Sequence, residues 1–509
     1  MRRGGSWRLG RYARVATVAA LAGVVVAAPP AAARSLDGVT SSNVEHVRNI
    51  PINGGATSAA VVGNRLYVVG FSTLAIFDIS DPADPVRLSA VPLGLQFPNE
   101  DVDTNGKVLV LAETSLAGPS LQGKFHVWDV RDPANPREVA TVASTKGDRS
   151  LTCVYDCTYA YGSSGTILDL ADPAKPQVVG DWGTGKPVGR GFDVTEVSPG
   201  LILTSTRPLM LLDARENPLT PVLRATGEDT ARTAHFAQWP QRGEDRFMLS
   251  SVETFGKPRC DSASGPLITL DAATAATGKI RIVDEFRLSN GTVQDGRPFV
   301  NKLACSAHVF DAHGGFRNGG LVALGHFDHG TRFVRVDGSG RMSEVGYFMP
   351  YSGQTFSARW ATDEVVYGID LERGIDVLRM RVAPDCSNLT ASPTSLSPPD
   401  GTFRTVQVGG ADDADFGPVS HRVTAVTQDE PVGATAPDAR PAGAADAVEL
   451  RAERDGNGDG RVYRLGVTAT NAVGAKCTST VRVAVPHDAS GRRPAVDSGG
   501  SHDSCGGPG

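Results

Sequence analysis

The stretch LAIFDISDPADPV at residues 74–86 recurs as HVWDVRDPANPR at residues 126–137 and as TILDLADPAKPQ at residues 166–177. In each copy an apolar strand ends in an aspartate, which is followed by Asp-Pro-x-x-Pro and a second strand. The aspartate can accept backbone N–H groups where the strand ends, and the two prolines prevent further ladder hydrogen bonds. The pattern therefore predicts a fixed turn into an outer strand, which for the first copy is residues 86–91.

The strand-end aspartate recurs along the chain at intervals between 40 and 66 residues, as Asp78, Asp129, Asp169, Asp213, Asp271 and Asp337. A last copy at residues 374–378 has Arg379 in place of the aspartate. Repeats of this length that contain only short strands are typical of a β-propeller. We expect an all-β, seven-bladed propeller over residues 44–383, in which residues 44–52 complete the last blade and close the ring. A β-helix or an open array is the alternative, and the irregular intervals argue against a β-helix.

The units LAIFDISDPADPV and FHVWDVRDPANP resemble the LVIVD repeat of secreted bacterial β-propeller proteins, in which a strand followed by Asp-x-x-Asp-Pro recurs in each blade. The resemblance covers about residues 50–380 and is strong over three blades and weaker over four. Blades five and six depart from it over long stretches. The resemblance implies the propeller fold and export, and it implies no chemistry.

The N-terminus has the pattern of an export signal. Five arginines accompany the apolar run at residues 15–28, which is too short to span a bilayer comfortably, and three alanines at residues 31–33 offer a cleavage site. We expect residues 1–33 to be a signal peptide, with an uncut membrane anchor as the alternative. No later stretch is apolar for 18 residues, so no transmembrane span is expected in the mature chain.

The net charge argues against partners that are themselves strongly negative. The chain has a net charge of −6, and removal of the arginine-rich signal makes the remainder more acidic. Such a chain is a poor candidate for binding nucleic acid or anionic lipid.

Seven cysteines fit an oxidising compartment. The CVYDC pair favours a local bridge over half of a metal site, because no second cysteine pair or nearby histidine completes such a site. Six cysteines allow 15 pairings, so the connectivity is an expectation. We expect three disulfides that leave Cys505 over, namely Cys153–Cys157, Cys260–Cys305 and Cys386–Cys477.

A second domain is predicted after the propeller. Residues 386–401 are rich in Ser, Pro and Thr and predict a linker. Residues 402–488 contain short alternating strands and resemble the immunoglobulin-like modules appended to bacterial extracellular proteins. Residues 489–509 are rich in Gly and Ser and are expected to be disordered. The predicted strands are 403–408, 421–427, 447–452, 462–468 and 477–485.

Two acidic segments are secondary candidates for calcium. DGNGDG at residues 455–460 matches the first half of a calcium loop, but Gly466 stands where a bidentate glutamate is needed. A hairpin turn is therefore the favoured interpretation. Asp412, Asp413 and Asp415 lie together in a predicted loop, where solvation of a surface is favoured over calcium.

The main candidate site lies at the propeller axis. The innermost strand of each blade begins near the central channel, so the first polar residues of these strands converge there. Two imidazoles with one or two carboxylates would hold Zn²⁺ or another borderline divalent metal. The alternative is a hydrated polar channel mouth. The candidate metal ligands are His235, His308, Glu100 and Asp101, and the candidate binding residues are Asp193 and Arg359.

No nucleophile elbow or Ser-x-x-Lys motif occurs in a usable context. This favours an exported, non-catalytic protein, secreted or associated with a cell surface. Its propeller face would bind an extracellular protein, a glycan or a small molecule. The alternative is a metal-dependent propeller enzyme with an axial His/carboxylate site.

Overall fold

The structure, a computed structural model, describes residues 38–95, 101–115, 122–189, 191–256, 260–288, 293–294, 297–298, 303–413, 415–488, 490 and 492–506. The predicted signal peptide lies outside the described residues. Nearly all regular structure in the described part is β-strand. Two strands come first, β1 (Gly38–Thr40) and β2 (Val44–Ile50), and both join sheets that are formed later in the chain.

Antiparallel units of four strands follow one another along the chain. The first contains β3 (Ser58–Val62), β4 (Arg65–Val69), β5 (Thr73–Asp78) and β6 (Val86–Pro92). The second contains β7 (Asp103–Thr104), β8 (Val108–Ser115), β9 (Gln122–Asp129) and β10 (Arg137–Ser144). The third contains β11 (Leu151–Val154), β12 (Tyr159–Gly162), β13 (Thr166–Asp169) and β14 (Gln177–Asp181).

The next two units join into one eight-stranded sheet through a parallel pair of outer strands. One contains β15 (Asp193–Ser198), β16 (Leu201–Ser205), β17 (Met210–Asp213) and β18 (Val222–Gly227). The other contains β19 (Ala234–Gln238), β20 (Phe247–Val252), β21 (Leu267–Asp271) and β22 (Lys279–Phe286). Its connections hold a short helical turn, α1 (Pro240–Gly243), and a 3₁₀ helix (Ala272–Thr277).

Two further sheets complete this part of the chain. A small hairpin comes first, with β23 (Val293–Gln294) and β24 (Arg297–Pro298). One sheet contains β25 (Phe310–Ala312), β26 (Gly320–Gly325), β27 (Thr331–Val336) and β28 (Met342–Pro350), and β1 is added at its edge. The other contains β29 (Thr355–Trp360), β30 (Val365–Asp370) and β31 (Gly374–Met380), and β2 is its fourth strand.

The repeated aspartates act as the sequence predicts. Five of them end the third strand of their unit, and Asp337 directly follows β27. In all six turns one carboxylate oxygen accepts the backbone N–H two residues later, at 2.8–3.2 Å. In the last sheet Arg379 instead pairs with Glu45 of β2 at 3.0 Å. No turn into an outer strand is needed after β31, because the outer strand comes from the N-terminus.

A β-bulge recurs at the same place in these units. The register shifts between the third and fourth strands, for example between Ile76 and Phe77 of β5 and between Phe333 and Val334 of β27. The pairing of β2 with β31 has the equivalent shift, between His46 and Arg48. A bulge increases the local twist. Its presence in β2 makes that strand equivalent to the other outer strands.

Apolar clusters lie between neighbouring sheets. Leu74 and Ile76 of the first sheet pack with Leu109 and Trp128 of the second. Similar clusters join each following pair of sheets. On the other side of the first sheet, Phe77 shares a buried cluster with residues of the last sheet. The first and last sheets are therefore neighbours, and the arrangement is a repeat β-propeller.

The C-terminal part consists of two four-stranded sheets, in the orders β32-β33-β36-β35 and β38-β37-β34-β39. Between them lies a buried cluster that includes Leu450, Tyr463 and Leu465. All five predicted strands are present. The strands are β32 (Thr390–Ser392), β33 (Phe403–Gly409), β34 (Ser420–Gln428), β35 (Ala439–Pro441), β36 (Ala447–Arg451), β37 (Arg461–Thr470), β38 (Lys476–Val485) and β39 (His502–Asp503).

Two expectations about this part are wrong. The predicted linker at 386–401 contributes β32, and its Leu396 is fully buried in the core. The predicted disorder of residues 489–509 does not hold for the described tail, because β39 pairs with β34 and Asp497 pairs with Arg464. Both segments have polar, turn-rich compositions. An open sheet edge and a facing arginine provide partners that composition does not reveal.

The acidic candidates for calcium make contacts within the protein. Asp415 pairs with Arg335 of the propeller, and Asp413 Oδ2 accepts Asn471 Nδ2 at 2.6 Å. Asp455 Oδ1 accepts the backbone N–H of Asn457 at 2.9 Å, as in a hairpin turn. Among the described residues, neither segment belongs to a cluster of metal-ligand atoms.

Candidate functional site

The structure brings together His235, Glu253 and His308, and we call this group the axial histidine cluster. His235 lies in the innermost strand β19, Glu253 directly follows β20, and His308 precedes β25. Two of the three are residues that the sequence predicts. The third, Glu253, is a carboxylate that the sequence analysis did not select.

The three side chains offer ligand atoms that all lie within 4.8 Å of one another. Glu253 lies between the two rings, with Oε2 3.6 Å from His235 Nε2 and Oε1 3.3 Å from His308 Nε2. The ring centroids of the histidines are 4.2 Å apart. On its other side the His308 ring lies 2.6 Å from the carbonyl oxygen of Phe356, to which Nδ1 donates. This bond fixes the orientation of the ring.

The three side chains of the cluster are almost fully buried. The side chains of His235, Glu253 and His308 are 2%, 4% and 0% exposed. Phe192 packs against His235, and Phe327 packs against His308. Burial of a carboxylate in apolar surroundings is costly unless positive charge or hydrogen-bond donors compensate it. Such compensation is what this site requires.

Asp101, one of the two predicted carboxylates, does not join the histidines. Glu100 lies outside the described residues. Asp101 lies instead beside Ser58 Oγ at 3.4 Å and Arg359 Nη2 at 3.5 Å, where the first and last sheets meet. The prediction of Asp101 as a ligand of the same ion is therefore wrong.

Arg359 is engaged by the backbone of its neighbours. Its Nε donates to the carbonyl oxygen of Ala59 at 2.8 Å, and its Nη1 donates to that of Phe310 at 3.0 Å. It thereby joins β29 to the sheets on both sides. The side chain of Arg359 is only 12% exposed, so it offers little surface to a ligand.

Buried acids surround the inner strand starts. Burial raises the pKa of Asp101 to about 6, and Arg359 opposes this shift. Burial, together with the charge of Asp101, raises the pKa of Asp103 to about 7. The pKa of Asp193 is raised well above its ordinary value by burial and by Asp101. Asp193 therefore stays protonated to a higher pH than an exposed carboxyl, which limits its use as an anionic binding group.

A pocket of about 380 Å³ adjoins the axial histidine cluster, and Glu253 belongs to both. Its walls combine apolar side chains with two arginines. The residues that line it are Phe192, Arg232, Thr233, Val252, Glu253, Thr254, Ser262, Ala263, Ser264, Pro266 and Arg287.

A second group with ligand atoms at close range is Cys260, Cys305 and His329. The two cysteines form a disulfide, so their sulfurs are not the thiolates that bind metals. Burial lowers the pKa of His329 to about 3, and the nearby Arg332 acts in the same direction. A neutral histidine packed beside a disulfide is a structural arrangement. The structure contains all three predicted disulfides, and Cys505 is not disulfide-bonded.

Sequence reasoning missed Glu253 because it considered only the starts of innermost strands. The second strand of a unit runs antiparallel to the first, so its end lies beside that start. In this unit Ala234 pairs with Val252, which places Glu253 next to His235. The acidic residue after the strand FMLSSV was the available signal.

Comparisons with known proteins agree with the repeat. Residues 53–91 match the LVIVD repeat. That match corresponds to the first four-stranded unit. No curated protein matches the chain.

Two solved structures are similar to the chain. The crystal structure of RRP9 WD40 repeats has 11% identity and a TM-score of 0.44, over 68% of this chain and 99% of that one. The outer coat vertex of COPII on membranes has 9% identity and a TM-score of 0.43, over 65% and 85%. The propeller assignment stands on the sheets and the clusters between them.

Proposed function

We propose that the chain is an exported binding protein that holds a small ligand in the pocket beside the axial histidine cluster. The pocket carries this proposal. Its volume of about 380 Å³ lies within the range of small-molecule sites. Phe192, Val252 and Pro266 supply apolar surface, while Arg287 and Glu253 supply opposite charges. Such walls suit a ligand that has an apolar body and polar or charged groups.

The polar walls are held in place by other residues. Arg232 pairs with Asp229 and Glu285, and Arg287 pairs with Glu285 at 2.6 Å. Arg287 Nε also donates to the carbonyl oxygen of Ser264 at 3.1 Å. Side chains fixed before binding lose less conformational entropy when a ligand arrives.

The proposal includes seven blades and an immunoglobulin-like sandwich. Seven antiparallel units, the last completed by β2, support the blade number. Two facing sheets with a shared core support the sandwich. Phe416 of the sandwich packs in a cluster with Phe333 and Trp360 of the propeller. This contact and the Arg335–Asp415 pair fix the second domain against the first.

Export is proposed from the N-terminal pattern and the cysteines. Three disulfides fit an oxidising compartment. Among the described helices, none has the length and apolar character to cross a membrane. N-terminal sequencing of the protein from the culture medium should begin at Arg34. Retention in the cells with Met1 intact would contradict export.

Two variants test the pocket. Ala263 lines it, and Ala263→Trp would fill it without touching the histidines. The matched control is Ala134→Trp, because both alanines are exposed and donate their N–H to an aspartate two residues earlier. A panel of sugars, amino acids, short peptides and carboxylic acids is screened by thermal shift. We expect a ligand that stabilises the wild type and Ala134→Trp but not Ala263→Trp. No stabilising compound, or equal shifts in all three proteins, would overturn the proposal.

A metal-dependent enzyme is the second candidate, and the axial histidine cluster favours it. It requires an ion with an open coordination position towards the pocket. Its test is turnover that a chelator abolishes and that metal restores.

A further inference from the structure

We propose that His235, Glu253 and His308 bind one divalent transition-metal ion of the Zn²⁺ class, through both Nε2 atoms and the carboxylate. The inference goes beyond ligand binding in the pocket and stands independently of it. Two histidines and one glutamate form a known type of zinc ligand set.

The distances between the ligand atoms carry the argument. Zn–N and Zn–O bonds of about 2.0–2.1 Å separate two tetrahedral ligand atoms by about 3.3–3.4 Å. Glu253 lies 3.3 Å from His308 Nε2 and 3.6 Å from His235 Nε2. One ligand atom of each residue lies within 4.8 Å of the other two, so the three side chains must draw together around an ion to reach normal bond lengths.

Other histidines of the same chain provide an internal comparison. His46 Nε2 lies 2.8 Å from Asp376, and His126 Nδ1 lies 2.6 Å from Glu138. These are the lengths of direct charge-assisted hydrogen bonds. Both contacts of Glu253 are longer, although this side chain is as buried as that of Asp376 or nearly so. The shorter of the two is close to the 3.2 Å between His126 Nε2 and Glu113, and both leave room for an ion between the ligand atoms.

The tautomer of His308 fits the same role. Its Nδ1 donates to the carbonyl oxygen of Phe356, so in the neutral ring Nε2 carries the lone pair. Nε2 and a carboxylate oxygen are then both acceptors and repel each other at 3.3 Å. A cation between them converts the repulsion into two bonds. A backbone carbonyl behind a ligating imidazole is also a common second partner in metal sites.

Charge supports an ion as well. Among the described residues, the two histidines are the ion-pair partners of Glu253. With neutral rings these partners would bring no positive charge to the buried carboxylate, and a divalent cation would supply it. The aromatic rings of Phe192, Phe327 and Phe356 surround the histidines and would keep competing water away from the bonds.

Three protein ligands leave one tetrahedral position for water or a ligand group, as in catalytic rather than structural zinc sites. Because Glu253 also lines the 380 Å³ pocket, that side is the path by which a small molecule would reach the ion. A bound ion would in this way connect the axial histidine cluster to the pocket.

The test uses untagged protein that begins at Arg34, stripped with EDTA and dialysed into metal-free buffer. It is titrated with Co²⁺, followed by visible absorption, and then with Zn²⁺ in competition. We expect one ion per chain, with a tetrahedral Co²⁺ spectrum. Affinity should fall below about pH 6, because metal binding requires neutral imidazole.

Three variants locate the ion. Glu253→Gln keeps the side-chain volume and should weaken binding by more than about 10-fold, since loss even of an outer-shell partner costs that much. His308→Ala should abolish the Co²⁺ spectrum, and Glu253→Gln decides the question if His308→Ala fails to fold. The control is His126→Ala, which removes a histidine that also contacts two carboxylates, Glu113 and Glu138. This control should bind like the wild type.

Absence of a bound ion in the wild type would overturn the inference, as would equal affinity in wild type and Glu253→Gln. Neither result depends on the pocket screen. If the wild type binds a pocket ligand but no metal, the metal site alone is contradicted. If it binds metal but no pocket ligand, the pocket alone is contradicted.

Discussion

Removal of β2 should destabilise the propeller strongly, because this strand completes the last sheet. The variant to make begins at residue 53, and the controls begin at Arg34 and at residue 41, the second of which lacks β1 but keeps β2. Only the shortest chain lacks the strand that pairs with β31 over the register from Val44–Met380 to Ile50–Ile375. It also exposes β31 as a new edge, and an exposed edge strand pairs readily with other chains.

The size of the effect follows from what β2 and the residues after it bury. Val44 and Ile52 are 5% and 7% exposed, and each buried aliphatic side chain contributes about 1.5–3 kcal/mol. The His46–Asp376 hydrogen bond at 2.8 Å adds about 1.5–3 kcal/mol when charged. The loss is then about 4.5–9 kcal/mol, which is comparable with the whole stability of a typical domain.

The assay is thermal unfolding followed by circular dichroism, with light scattering to measure association. The chain from Arg34 should melt cooperatively as a monomer. The chain from residue 53 should aggregate or lose its cooperative transition. A monomer that melts within a few degrees of the chain from residue 41 would refute the role of β2 in closing the ring.

Three further perturbations follow. Burial raises the folded-state pKa of Asp193 above 3.8, so the native state binds this proton more tightly than the unfolded chain and loses stability as pH rises from about 4. The melting temperature of Asp193→Asn should therefore decline less than that of the wild type between pH 5 and pH 8. An equal decline in the two proteins would contradict this. Paired Cys386→Ser and Cys477→Ser changes open a loop with a separation of 91 residues and should cost up to about 4–5 kcal/mol in chemical denaturation, whereas an unchanged midpoint would contradict the estimate. Asp169→Ala removes an acceptor of a backbone N–H at 2.8 Å and should cost about 1 kcal/mol, while Asp169→Asn should cost less.

The repeat was predictable because its signal is local. A strand-end aspartate and two prolines act on backbone groups a few residues away, and each of the six aspartates has that role. Arg379 stands where the other units have the aspartate. It lies in the unit whose outer strand comes from the N-terminus. The added strand β1 and the pairing of the tail through β39 were not predictable. Both depend on an open sheet edge, which exists only after the sheets have formed.

The candidate site was predictable in part, and the missing part follows a rule. His235 and His308 were found because strand starts converge on the axis, but the ends of second strands lie there as well. The last sheet gives another example, since Asp370 ends β30 and its Oδ2 accepts the hydroxyl of Thr355 at the start of β29, at 3.1 Å. Axial residues in such a sequence should therefore be sought both at the start of the first strand and at the end of the second strand of each unit.

Position alone does not make a carboxylate a metal ligand, as Asp370 and Glu253 demonstrate. Asp370 is fully buried, and its Oδ1 accepts the N–H groups of Glu372 and Arg373 at 2.9 and 3.0 Å. Burial raises its pKa to about 6, and its hydrogen bonds leave no demand for a cation. Glu253 instead faces two histidine nitrogens at ligand-to-ligand distances. The hairpin register brings both carboxylates to the axis, and the groups that face each one decide whether it needs an ion.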